Sequence, residues 1–281
     1  MSRALLAALA LLLAAGTAQA QFRIPNLDVN RLLDSAKNVA KATHEIDQNE
    51  EIAIGRDLAA TLLGAAPLVN DAALQRYVNN VGRWLASQTA RPDLPWQFGV
   101  LDAPQLNAFA VPGGTVFITR GLLERMKSEA ELAGVLGHEI VHVVKKHHLK
   151  AIQKGAYTAL AGDALQMALK DKNSAANEKL VSLTKEIYTR GLDKDDEFEA
   201  DRVGVVFAAR AGYDAYGLPA VLQTLQGMNP QDSGLALMFK THPAPAARLN
   251  ALAAKMQATM DAWADQPQLA ERFRALVKVA R

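Results

Sequence analysis

The chain has 281 residues, with Lys+Arg 31 against Asp+Glu 29 and a formal net charge of +2. That near-balance argues against a nucleic-acid binder, which needs a basic surplus. A chain that is 50% hydrophobic and 21% charged is globular rather than disordered. It contains no cysteine, which excludes disulfides, a thiol nucleophile, thiolate-held zinc, iron–sulfur clusters and a lipid-anchored N-terminal Cys; any metal must be held by His, Asp or Glu.

The first segment reads as a targeting signal. Arg3 precedes an apolar run from Ala4 to Ala15, too short to span a bilayer. Gly16-Thr17-Ala18-Gln19-Ala20 then offers an A-x-A pattern for cleavage after Ala20. The expectation is a signal peptide over residues 1–20 and a periplasmic mature chain, residues 21–281, forming one domain with a helical C-terminal tail. Later in the chain, Tyr157 to Leu169 comes nearest to a membrane span, and Asp163 and Gln166 interrupt it. After signal cleavage the chain is therefore not expected to be an integral membrane protein.

Leu32, Leu33, Ala36, Val39 and Ala40 recur at helical spacing and predict a helix over Val29–Ala42. Asp47, with Glu50 three residues later, opens a second helix over Asp47–Leu63, ended by Gly64 and Pro67. Asp71 caps a third, with Leu74, Tyr77, Val78, Val81 and Leu85 on one stripe. The period then changes. Trp96–Leu101 alternates like a strand, and Ala108–Val111 and Thr115–Thr119 are short β-prone runs split by Pro112-Gly113-Gly114. A sheet of about three or four strands is expected, some of them from elsewhere. Beyond Gly121 the pattern is helical, with breaks near Gly155, Asp171–Asn173, Gly191, Gly212, Gly217, Pro230 and His242–Pro245. The fold class is α+β, mostly α-helical, with a small β-sheet.

The chemistry is concentrated in His138-Glu139-Ile140-Val141-His142, inside a helical segment Glu129–Lys146. Residues four apart share a helix face, so both imidazoles can reach one metal. Glu139 projects about 100° further round, beside the metal and within reach of its water. Zinc suits imidazole and carboxylate ligands. An otherwise apolar helix is a costly place for unpaired polar groups, which favours a metal site over two incidental histidines. A third ligand is required. His147 and His148 follow with no glycine to turn the chain, so they are expected to stay on the same helix, point elsewhere and be solvated. Asp195-Asp196-Glu197-Phe198-Glu199-Ala200-Asp201 begins a downstream helix. Glu197 and Asp201 share a face there, so Glu197 can ligate zinc while Asp201 accepts the free N–H of a ligand histidine. Glu199, on another face, is the spare acid.

These residues resemble the HtpX and CAAX-prenyl-protease superfamily of zinc metallopeptidases (metallopeptidase family 48), in particular its soluble periplasmic members. The family pairs H-E-x-x-H with E-x-x-x-D, matched by His138, Glu139, His142, Glu197 and Asp201. Asn107-Ala108-Phe109-Ala110, followed by Pro112-Gly113-Gly114, resembles its substrate-side edge strand, and Thr241-His242-Pro243 with Arg248 resembles its late His-Pro segment. The likeness runs over roughly Asp47–Leu252.

The resemblance implies a zincin-type fold with the sheet beside the H-E-x-x-H helix, one Zn2+ per chain, and endopeptidase activity with Glu139 as general base. It implies substrate binding along Asn107, Ala108, Phe109 and Ala110. It places Arg248 near the site as a candidate oxyanion donor, with a structural salt bridge as the other reading. It also lets His242 come onto the zinc as an autoinhibitory fourth ligand. The partners it implies are unfolded or misfolded envelope proteins and the outer-membrane assembly machinery. The lipoprotein Cys and the C-terminal helical-repeat domain of some members have no counterpart in this sequence, so a partner bound through such repeats is not implied. The alternative is a chaperone-like periplasmic binding protein with a structural zinc site; the presence of Glu139 favours the enzyme.

Overall fold

The computed structural model describes residues 46–159, 191–229, 232 and 234–277. The signal peptide, the helix expected over Val29–Ala42 and most of the Tyr157–Leu169 stretch lie outside them. Asp47 caps α1 (Gln48–Ala65), accepting from the Asn49 and Glu50 N–H groups at 2.7 and 2.9 Å, while Glu50 reaches back to the Asp47 N–H at 3.1 Å. Three N–H donors at the start of the helix are thereby satisfied, those of Asp47 and Glu50 reciprocally. Asp71 caps α2 (Ala72–Ala86), and Leu74, Tyr77, Val78, Val81 and Leu85 turn inward as their spacing predicts.

Strands β1 (Gln97–Leu101), β2 (Ala108–Val111) and β3 (Thr115–Thr119) form one sheet in the order β1-β3-β2. β1 runs parallel to β3, and β2 antiparallel to it. Gly113 and Gly114, at φ 81° and 106°, make the β2–β3 reversal in backbone conformations that glycine adopts without steric cost. Among the described residues no fourth strand joins; a single bridge, Leu68 with Leu101, extends the pairing.

After the short α3 (Arg120–Leu123) comes α4 (Glu129–Val144), buried at every position from Glu129 to Val143. A helix covered on all sides is the centre of its domain. Ser128 caps it, and the buried Glu129 carboxylate accepts from Tyr77 Oη and Tyr213 Oη, each at 2.8 Å, and from Arg272. The H-E-x-x-H helix does not continue through Lys146. Lys145 closes it, Lys146 takes φ 58°, and α5 (His147–Ala159) starts in a new direction. That helix passes through Gly155, where a break was expected; one interior glycine costs a helix only about 1 kcal/mol, too little to end it.

The remaining helices are α6 (Lys194–Arg210), α7 (Gly217–Gln226), α8 (Ala236–Thr241), α9 (Pro245–Asp261) and α10 (Ala270–Leu276). No helix among the described residues is long and apolar enough to cross a membrane. The most extensive contact in the fold is α4 against α6. At their crossing the backbones touch: a Cβ on Gly204 would lie 2.7 Å from His138 N, and one on Gly137 would lie 2.7 Å from Gly204 O. Neither obstacle is a side chain that can swing away. Gly204→Ala should therefore force the helices apart and lower stability by about 1–3 kcal/mol, the usual range for overpacking, despite alanine's better helix propensity. Thermal unfolding against the parent checks this; an unchanged or higher Tm contradicts the crossing as described.

Candidate metal centre

His138 and His142 lie one turn apart on α4, with their Nε2 atoms 3.1 Å apart. Glu197, in the first turn of α6, is buried opposite them; its Oε2 is 3.7 Å from His138 Nε2 and its Oε1 3.6 Å from His142 Nε2. One ligand atom from each of the three residues falls within 4.8 Å of the other two.

Hydrogen bonding assigns the protons. His138 Nδ1 is 2.9 Å from Asp201 Oδ1, so its N–H points at that carboxylate. His147 Nε2 faces Glu199 at 3.3 Å and Asp196 at 3.6 Å and donates there, so its Nδ1 accepts from His142 Nδ1–H at 3.0 Å. Both ligand-side Nε2 atoms are left with lone pairs. Two nitrogens and two carboxylate oxygens then converge in a buried space, where Glu197 Oε2 also takes a hydrogen bond from His242 Nδ1, an arrangement that a cation with nitrogen and oxygen ligands satisfies. Zinc fits this donor set.

Charged partners lock the surroundings. Arg248 donates from Nε to Asp201 Oδ2 at 2.9 Å and from Nη2 to Oδ1. Burial opposes the Asp201 charge, but Arg248 and His138 outweigh it and hold the carboxyl well below its usual range. Burial also works against Glu197, yet His242 and His138 bring it down to about 2. Glu139 behaves differently: burial pushes its carboxyl up, and the neighbouring imidazoles only partly offset that. His142 is held well below the usual imidazole range by burial and the surrounding histidines. It is therefore neutral, as a ligand must be.

His242 follows α8 in an extended conformation, φ −129° and ψ 153°, as the following Pro243 favours. Its Nδ1 is 2.6 Å from Glu197 Oε2, and its ring lies 5.6 Å from that of His138. Asn107, Ala108, Phe109 and Ala110 line a cleft together with Glu139, Glu197 and His242. The fold thus brings the sequence-predicted site residues into one region, with Arg248 engaged to Asp201 rather than facing the cleft alone.

Two expectations need correction. His147 is 2% exposed, not solvated. His148 is half-buried, with its ring 5.3 Å from that of His142, and burial lowers its pKa to about 3. The left-handed turn at Lys146 swings both back toward the centre, and a lysine there gives no signal of such a turn. Glu199 is a spare acid as expected, paired with Lys145 at 2.7 Å as well as with His147. His147, Asp196 and Glu199 could themselves hold a metal. A metal on His147 Nε2, however, would move that proton to Nδ1 and force His142 to carry its own on Nε2, blocking the first site. The two sites exclude each other, and the ammonium of Lys145 already occupies Glu199.

Two imidazoles and a carboxylate on one helix, with a second carboxylate from another helix, are a group that could hold a metal ion, the arrangement of a metallopeptidase centre of the glutamate-ligand type. The model of Peptidase family M48 matches residues 72–256. The chain is 32% identical over 248 residues to a beta-barrel assembly-enhancing protease of Yersinia pestis, covering 83% of this chain and 48% of that protein. It is 34% identical over 221 residues to a putative beta-barrel assembly-enhancing protease of Vibrio cholerae, covering 75% and 44%. A mitochondrial metalloendopeptidase OMA1 of Arabidopsis thaliana is 32% identical over 161 residues, 57% of this chain and 31% of that one. The chain belongs to peptidase family M48, and so to the metallopeptidases. It spans about half the length of the beta-barrel assembly-enhancing proteases it matches.

Metal analysis of purified variants tests the centre. His142→Ala and Glu197→Gln should each lose the zinc. His147→Ala should keep it with affinity about 10- to 100-fold lower, the usual effect of removing a residue that orients a ligand. Unaltered affinity in His147→Ala would remove it from the network.

Proposed function

We propose that the chain is a zinc-dependent endopeptidase that hydrolyses peptide bonds of unfolded or misfolded envelope proteins in the periplasm. The convergence of the His138, His142 and Glu197 lone pairs beside the buried Glu139 carries this reading. His138, His142 and Glu197 hold the ion, which when bound supplies Lewis acidity to the scissile carbonyl and lowers the pKa of a water. Glu139 takes the proton of the attacking water and delivers it to the leaving amine. A carboxyl whose pKa is raised by burial suits both halves of that task. Asp201, held by Arg248, keeps His138 in the ligating tautomer, and His147 does the same for His142.

The substrate lies along β2, an outer strand in the order of the sheet, by backbone addition. That mode reads extended main chain more than side chains, which suits unfolded clients. The leader-like pattern of residues 1–20 supports a periplasmic setting, and the likeness to beta-barrel assembly-enhancing proteases supports a link to β-barrel assembly. A chaperone-like role with a structural metal makes no use of Glu139.

Glu139→Gln should retain fold and zinc yet cleave casein at least about 10²-fold more slowly, the scale expected for loss of a general base. Near-parental cleavage by that variant would refute the enzyme mechanism.

His242 is proposed as a latch. Its bond to Glu197 places it over the centre at the end of a short helix. As a fourth ligand it would fill the position that water needs, and substrate binding must displace it. His242→Ala should keep its zinc and cleave casein and itself faster than the parent. Equal rates of both reactions in parent and variant would remove the latch.

A further inference from the structure

The turn that carries His147 to the metal centre has a lysine at a position where helices commonly end in glycine. Lys146 follows the Lys145 cap of α4 at φ 58°, and His147 opens α5 directly after it. Left-handed backbone is costly for a residue with a Cβ, and it persists only where the surroundings hold it. The 3.0 Å contact of His147 Nδ1 with His142 Nδ1 depends on this turn.

Two side chains from distant parts of the sequence grip it. Glu51, on α1, is fully buried. Its Oε1 accepts from Arg91 Nη1 at 2.9 Å and from Gly113 N–H at 3.2 Å, and its Oε2 accepts from Arg91 Nη2 at 2.8 Å. Oε2 also stands 3.5 Å from Lys146 Nζ. Arg91, in the loop after α2, donates from Nη1 to Val143 O at 3.2 Å, and the same carbonyl accepts from Lys146 N–H at 3.1 Å. An arginine on the last carbonyls of a helix is a favourable cap. Glu51 is itself fixed from behind, because α1 meets the β2–β3 turn backbone to backbone. A Cβ on Gly55 would fall 1.7 Å from Pro112 O, and one on Gly113 would fall 2.7 Å from Ile52 Cα. One ion pair, Glu51 with Arg91, thus holds the left-handed residue both at its ammonium and at the carbonyl that receives its N–H.

We propose that Glu51 and Arg91 are positioning residues of the metal centre. Among the described residues, the hydrogen bonds of both go elsewhere than to His138, His142 and Glu197. They act through the turn. They hold Lys146 left-handed, the turn sets His147 against His142, and His147 keeps the proton of His142 on Nδ1 so that Nε2 can ligate. The inference rests on the metal-centre reading above and is independent of the substrate. It gives a use to a fully buried carboxylate on α1, a helix that carries none of the proposed ligands.

Zinc affinity of the full chain, measured by competition with a chelator, is the test, and Tm of the zinc-free protein monitors folding. Glu51→Gln should bind zinc about 10- to 100-fold more weakly, as expected of His147→Ala, because both release His142. The double variant Glu51→Gln/His147→Ala should match His147→Ala alone, since two changes on one route do not add. Lys146→Gly placed on Glu51→Gln should restore most of the affinity, because glycine takes φ 58° without support. In the parent background, Lys146→Gly should leave zinc affinity unchanged and Lys146→Val should lower it about tenfold, a β-branched residue being disfavoured in left-handed backbone. Parental affinity in Glu51→Gln, losses that multiply in the double variant, or no recovery with Lys146→Gly would each overturn the proposal. Should Glu51→Gln fail to fold, the Lys146 pair decides: equal affinity in Lys146→Val and Lys146→Gly overturns it. A parent that binds no zinc would defeat the metal centre, and this inference with it. A parent that binds zinc but cleaves no casein would defeat the protease reading alone, and the affinities still decide this one.

Discussion

The molecule depends on how closely two helices can approach. α4 carries the histidines and α6 carries Glu197 and Asp201, and the contact between Gly137 and Gly204 lets one backbone lie against the other. Any side chain at that crossing would hold the helices apart. Glu197 would then stand too far from His138 and His142 to share an ion, and Asp201 would lose its 2.9 Å contact with His138 Nδ1. A packing constraint made by two residues without chemistry of their own thus sets the distances on which the chemistry rests.

Burial gives those distances their effect. His138, Glu139, His142, Glu197 and Asp201 are each no more than 3% exposed, on the two helices α4 and α6 that pack against each other. Polar groups so placed must be paired, because water cannot compensate them. The pairing is layered. Arg248 holds Asp201, Asp201 holds His138, Asp196 and Glu199 face His147, and His147 holds His142. Each layer fixes the proton of the next, and the outcome is two imidazoles with their lone pairs pointing inward. Removing Arg248 would leave Asp201 buried and uncompensated, a defect that typically costs about 3–5 kcal/mol. The same arginine thus serves both folding and the tautomer of a ligand.

The parts legible in the sequence were those written as periodicity or spacing. His138 and His142 at four apart on a helix, and Glu197 and Asp201 at four apart on another, needed only regular backbone to be read. So did the caps at Asp47 and Asp71 and the bounds of β2 and β3, because the signals are local. His147 was misread because its position depends on one residue, Lys146, adopting φ 58°. Glycine or asparagine would have announced that turn, and lysine does not. Asn107 was legible as the start of the β2 segment, but the lack of a hydrogen-bond partner for its carboxamide among the described residues was not. Whether a buried amide finds a partner depends on every element packed around it, and no local pattern records the result.

His138, His142 and Glu197 differ from His242 in how they are anchored, which bears on the proposed latch. His138, His142 and Glu197 sit on α4 and α6, whose mutual contact is the most extensive in the fold. Moving any of them would disturb the core. His242 instead occupies the extended step between α8, six residues long, and α9, and its backbone N–H donates to Met238 O within its own turn. Rotations at residues 242–244 can carry the imidazole away while Arg248, further along α9, still holds Asp201. Met238, on α8, and His242 both line the cavity beside Glu139. In the proposed latch, exposure of the centre and entry of substrate would be coupled through that one short segment.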